Sequence, residues 1–207
     1  MAHDRGRPTV YVIPGWKQKP TDTCFAWLIS FLRMKGFRVI NVSIDWDYRV
    51  MSDYVEDFKR QYVKKDLGDH FIFGFSYGAV IALIAANELK PKKIYLCSLS
   101  AAFQEDMRAM KPWVRKLIGS RRIADAKKRS GRKLAKELAI PSVVFYGEAE
   151  GKSHPLLKIR CEETAKYAKD STLVVVKGAP HKIDDPEYMK AIKEEFGRKK
   201  FKKRHGA

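Results

Sequence analysis

The sequence predicts an α/β fold, a three-layer sandwich in which helices cover both faces of a mostly parallel sheet of about six strands. Short β-branched runs alternate with longer amphipathic stretches along nearly the whole chain. The runs are almost continuously apolar, as strands buried on both faces are. At 207 residues, with 45% hydrophobic and 12% aromatic content, the chain can bury one sizeable core and is not compositionally disordered.

The elements follow in order. TVYVI, Thr9–Ile13, is the first strand. Residues 23–35 are helical, with Phe25, Leu28, Ile29 and Leu32 on one face. FRVINVSI (37–44) is the second strand. Residues 51–65 form a second helix carrying Tyr54, Val55, Phe58 and Tyr62. A strand at His70–Phe75 leads into a helix at Tyr77–Leu89, and KIYLCS (93–98) and SVVFY (142–146) are further strands. Residues 154–169 are helical, LVVVK (173–177) is the last strand, and a last helix spans 186–196, opened by Pro186 where no N–H is needed. One stretch breaks the rhythm, the insertion 101–138. Its first half places Met107, Met110, Trp113, Val114 and Leu117 along an apolar stripe. Its second half is the basic block RRIADAKKRSGRKLAK. No internal repeat appears, so residues 1–197 read as one domain and 198–207 as a basic, disordered tail.

The formal charge is +18, concentrated in that block and in RKKFKKR (198–204). Such clusters attract polyanions through salt-screened forces. Solubility is the favoured reading over dedicated nucleic-acid binding, because no recognition helix, zinc ligands or stacking-aromatic motif accompanies the charge. Nonspecific polyanion contact through the insertion and tail is the expectation that remains. Cys24, Cys97 and Cys161 are odd in number with no CxxC pair, which suggests reduced thiols and a cytoplasmic protein. No run approaches the ~20 apolar residues of a membrane span, and MAHDRGRPT lacks the apolar core of a signal peptide. Oligomeric state is not encoded legibly.

The chemistry centres on Gly74-Phe75-Ser76-Tyr77-Gly78. This is G-x-S-x-G after a strand and before a helix, the setting of a nucleophile elbow. Glycines on either side of the serine remove Cβ atoms that a sharp turn cannot hold. In an open parallel sheet the carboxyl ends of strands carry the ligand site. Serine needs a base and an orienting acid, expected in the chain order serine, acid, histidine.

Of the five histidines, His3 and His205 lie in the termini and His70 at the opposite, amino end of the sheet. His154 opens a helix and is less well placed. His181, in the loop after the last strand, is the expected base. FYGEAEG offers Glu150, preferred as further into the loop, and Glu148. Asp184 and Asp185 are expected to cap the last helix. The oxyanion donors are the backbone N–H groups of Tyr77 and Trp16, with Gly15 of IPGWK allowing close approach. Phe75, Trp46 and the Met107/Met110/Trp113 stripe are pocket candidates, although core packing explains the stripe equally well.

With VIPGW, GFSYG, YGEAEG and KGAPHKIDDPEY in order, the chain resembles the α/β-hydrolase superfamily over residues 9–196, most of all its small serine hydrolases without a large cap domain. The resemblance implies Ser76, Glu150 and His181 as nucleophile, acid and base. It also implies a sheet lacking the first two strands of the full fold, and a short helical lid at 101–138. Where the family's G-E-x-D pattern has Asp, this chain has Glu150. The activity implied is hydrolysis of a small-molecule carboxylic ester or thioester, with no cofactor and no metal. Peptidase, lyase and perhydrolase chemistries share the same residues. The basic block beside the lid suggests substrates carrying negative charge. The rival reading is a catalytically silent hydrolase-fold protein whose basic surface engages nucleic acid or another polyanion.

Overall fold

The computed structural model describes residues 6–62 and 68–197. Expectations for His3, His205, the end of the second helix and the basic tail therefore lie outside the described residues.

Six strands form one sheet: β1 (Thr9–Ile13), β2 (Arg38–Asn41), β3 (His70–Phe75), β4 (Lys93–Cys97), β5 (Ser142–Gly147) and β6 (Ser171–Val176), in the order β2-β1-β3-β4-β5-β6. Every pairing is parallel. The strand order reverses at β1 and β3, and a reversal of this kind opens a crevice at the carboxyl edge.

Alternate residues divide the core into two layers, as a period of two dictates. Tyr11, Ile13, Ile72, Leu96 and Val144 face one layer with α2 (Met51–Gln61), α3 (Tyr77–Leu89) and α9 (Pro155–Tyr167). Val10, Val12, Phe73, Tyr95 and Phe145 face the other with α1 (Thr23–Met34) and α10 (Pro186–Gly197). The helix α3 is apolar nearly all round because it lies against the centre of the sheet.

The edge strands depart from the expectation of double coverage. Leu173 is 37% and Val175 49% exposed in β6, and β2 is only partly buried. An apolar sequence marks a strand, but only its place in the sheet order decides whether both faces are covered. The boundaries also move, β2 being four residues where eight were expected.

The insertion folds as α4 (Gln104–Ala109), α5 (Pro112–Ile118), α6 (Ser120–Ala126) and α7 (Gly131–Glu137), and a short α8 (Glu148–Ser153) follows β5. The apolar stripe is not continuous. Lys111, immediately before Pro112, is extended (φ −59°, ψ 145°) as the residue before a proline prefers, and Met110 is extended as well (φ −74°, ψ 133°), so α4 and α5 are separate. Met107 is buried in the core, while Trp113 is 66% and Leu117 72% exposed. Two polar anchors fix the insertion. Arg160 on α9 donates to Asp106 at 2.7 Å with both side chains buried. Asp125 on α6 accepts from Ser52 N at 3.0 Å and from Arg129 at 2.9 Å.

Candidate active site

The turn after β3 holds Ser76 at φ 56°, ψ −116°, a left-handed value that a serine adopts only when its surroundings enforce it. A Cβ on Gly74 would stand 2.3 Å from Gly78 O, and one on Gly78 would stand 2.2 Å from Ile13 O. Both glycines are therefore required by backbone contacts. Ser76 N donates to Cys97 O at 2.8 Å, tying the turn to the end of β4.

The loop after β1 lies against this turn. A Cβ on Gly15 would approach Ser76 Cβ at 3.2 Å and Gln18 Oε1 at 2.6 Å. Gln18 holds the loop closed: its Oε1 accepts from Gly15 N at 2.9 Å and its own N–H donates to Gly15 O at 3.0 Å. Trp46 Nε1 donates to Gln18 O at 3.1 Å. Trp46 thus supports the loop from behind and does not line the pocket.

At the other side, Glu150 lies in the first turn of α8 and is completely buried. The sequence suggested a position well into a loop, but the carboxylate is held from several directions. Oε1 pairs with His181 Nδ1. Oε2 accepts from Tyr188 OH at 2.6 Å, Gly147 N at 2.9 Å and Ser98 OH at 3.1 Å. Burial alone would raise the Glu150 pKa, but the hydrogen bonds from His181, Tyr188 and Gly147 outweigh it and hold the carboxyl below its ordinary value. Tyr188 is shifted far upward, first by burial and then by neighbouring acidic groups, so it remains a phenol and a donor.

Glu148 is half-buried, salt-bridged to Lys152 and accepting from Gly178 N at 3.2 Å. Asp185 Oδ1 accepts from Glu187 N at 3.0 Å at the start of α10, as a capping residue does. His70 stands at the amino end of β3 beside Tyr11 and Tyr62. The ring of His154 is 6.0 Å from that of His181, but its Nδ1 is bonded to Ser153 Oγ at 2.9 Å.

Ser76, His181, Phe75, Tyr77, Gly15, Trp16 and Gln18 line one cavity of about 280 Å³. Trp46, Met107, Met110 and Trp113 are not among its lining residues, which corrects their assignment to the pocket. His181 packs its ring on Phe75, 5.0 Å between centroids. Trp16 and Tyr77 stack at 6.1 Å, so their rings form one wall.

Two residues were missed by sequence reasoning. Gln18 borders the loop of the expected oxyanion donors, and its position three residues past Gly15 in a tight turn was the available signal. Ser100, beyond β4, lies 3.1 Å from Ser76 Oγ, hydroxyl to hydroxyl. Nothing in its sequence context marks it. Among the described residues no hydrogen bond joins Ser76 Oγ to His181, so the Ser76 hydroxyl rests on Ser100.

Chemically, a carboxylate on Nδ1 leaves Nε2 of a neutral imidazole as the proton acceptor. Thiols do not compete. Cys97 and Cys161 are fully buried and their pKa values are raised first by burial and then by the Glu150 charge. No group of three or more metal-ligating side chains occurs among the described residues, and no helix there is long and apolar enough to cross a membrane.

No protein-family model matches the chain, and no curated protein matches it by sequence. Solved structures do. Est1E from Butyrivibrio proteoclasticus superimposes with a TM-score of 0.79 at 17% identity, covering 95% of this chain and 89% of that one. Alpha/beta hydrolase domain-containing protein 10 from mouse gives 0.72 at 14%, covering 92% and 88%. The Pyrococcus furiosus esterase Pf2001 gives 0.65 at 15%, covering 93% and 82%. Sheet order, the turn at Ser76 and these superpositions agree: the chain has the α/β-hydrolase fold.

Proposed function

We propose that the chain is a serine hydrolase that cleaves a carboxylic ester or thioester of a small molecule through an acyl-enzyme on Ser76. The observation that carries this reading is the buried Glu150 carboxylate on His181 Nδ1, at the same cavity as a serine in a strained elbow. In the reading, the Ser76 hydroxyl leaves Ser100 as substrate enters and gives its proton to His181 Nε2 as Oγ attacks the acyl carbon. Glu150 stabilises the imidazolium that forms. Trp16 and Tyr77 N–H groups hold the oxyanion. His181 returns the proton to the departing alcohol or thiol, and water repeats the sequence to release the acid. Hydrolase-fold neighbours that include an esterase support the same class.

The Ser76–Ser100 contact favours a second reading, a catalytically silent protein whose serine is held off its histidine. A series of 4-nitrophenyl esters from acetate to decanoate separates the two. A hydrolase gives turnover with a burst of nitrophenol equal to the enzyme, lost in Ser76→Ala. A silent protein gives neither at any chain length.

A further inference from the structure

We infer that the Trp16 side of the catalytic cavity carries an anion subsite, built by Arg121 and Arg122 with Lys17, so that the preferred substrate is an ester bearing a carboxylate or phosphate. The inference rests on the hydrolase reading and names its substrate class. Arg122 comes from α6 in the insertion, yet its guanidinium stands 5.7 Å from the centre of the Trp16 ring. Lys17 Nζ stands 5.2 Å from the same ring. Trp16 lines the Ser76 cavity, so two cations flank its rim.

Behind them opens a second cleft of about 260 Å³, lined by Tyr48, Arg49, Arg121 and Arg122 with the chain between α5 and α6. The arginines there differ in what they hold. Arg49 is neutralised by Asp57 at 2.7 Å and Asp45 at 3.4 Å. Arg122 donates Nε to Arg49 O at 3.1 Å and also lies against the Tyr54 hydroxyl, which fixes the guanidinium while leaving part of its five-donor fork uncommitted. Among the described residues no carboxylate pairs with Arg121, Arg122 or Lys17. A fixed guanidinium with donors to spare beside an apolar wall suits a carboxylate or phosphate, which it can take bidentately.

The backbone supports the assignment. Lys17 (φ 59°) and Tyr48 (φ 53°) are left-handed non-glycine residues, and Tyr48 is 91% exposed on the cleft. Strain of this kind collects at ligand sites. A pure anchoring role for Arg122, holding α6 against Trp16, would affect all substrates alike.

The test compares matched esters at low salt. On the acyl side the pair is 4-nitrophenyl hydrogen glutarate and its neutral methyl ester. On the leaving-group side it is 4-carboxyphenyl butyrate and its neutral methyl ester. We expect one pair to show kcat/KM about tenfold higher for the anionic member, the size of one charge-assisted hydrogen bond. That ratio should fall toward one in Arg122→Gln and in 0.5 M NaCl, and fall partially in Arg121→Gln. Ratios near one for both pairs in the wild type, or a ratio unmoved by Arg122→Gln, would overturn the subsite while leaving the hydrolase reading intact. If no ester turns over, the hydrolase reading fails, and calorimetric titration with phenyl phosphate decides the subsite alone. Binding lost in Arg122→Gln retains it, and absent or equal binding removes it.

Discussion

Ser76 and His181 line one cavity and Glu150 pairs with His181 although the three lie far apart in sequence, and the Glu150 carboxylate is the most constrained of them. Its carboxyl titrates below its ordinary value of 4.5. A depressed folded pKa contributes stability that is present above the unfolded value and lost as pH falls through the lower folded one. Glu150 therefore stays charged across the neutral and mildly acidic range, and the acid limb of kcat/KM belongs to another group. Glu150→Gln should lower kcat by about 10⁴, by analogy with loss of the orienting acid in a serine protease, and should move the acid limb to lower pH because the carboxylate that favours the imidazolium is gone. Tyr188→Phe removes one of the donors to Oε2 and should lower kcat about tenfold, as loss of an outer supporting hydrogen bond does in metal sites. Steady-state kinetics from pH 4 to 9 read both. At this scale the gathering of Ser76, His181 and Glu150 at one edge was legible in the sequence because topology restricts which loops can meet. Gln18 and Ser100 were not, since a glutamine in a turn or a serine past a strand end is common. Glu150 was found for an incomplete reason, its distance into a loop, whereas the structure fixes it in the first turn of a helix.

The insertion shows how elements are positioned by a few buried polar contacts. Asp106 and Arg160 are each 2% exposed and paired at 2.7 Å. Removing Asp106 leaves Arg160 paired with Glu163 at 2.9 Å, whereas removing Arg160 leaves the Asp106 carboxylate in the core without a cation among the described residues. Arg160→Met should thus cost about 3–5 kcal/mol, while adding Asp106→Leu to it should recover most of the loss, because a packed apolar pair needs no solvation. Urea denaturation of the single and double variants measures this. Most element identities were legible, because buried strands and α3 have nearly uninterrupted apolar runs. The apolar stripe of 107–117 was misread as continuous, although Pro112 in the middle of it was the visible signal of a break. The exposure of β6 was not legible, as the sequence gives strand character but not edge position.

At the scale of the whole molecule, the fold and its sheet were legible from strand–helix alternation alone, while the placement of charge was not. The chain carries +18, and charge of one sign destabilises a compact state by self-repulsion. Its melting temperature should rise as NaCl goes from 20 to 300 mM, because the Debye length shortens from roughly 20 Å to about 6 Å. A fall or no change on calorimetry would mean that local ion pairs outweigh the net charge. The six parallel strands bring the loops after β1, β3, β4, β5 and β6 to one edge, so residues from five separate loops share one site. The claim that this edge is an assembled nucleophilic centre is tested most directly with a fluorophosphonate probe followed by peptide mass mapping. The account expects one adduct, at Ser76, absent in Ser76→Ala and in His181→Ala. An unlabelled Ser76 in folded wild-type protein, or labelling that persists in His181→Ala at the wild-type rate, would contradict it.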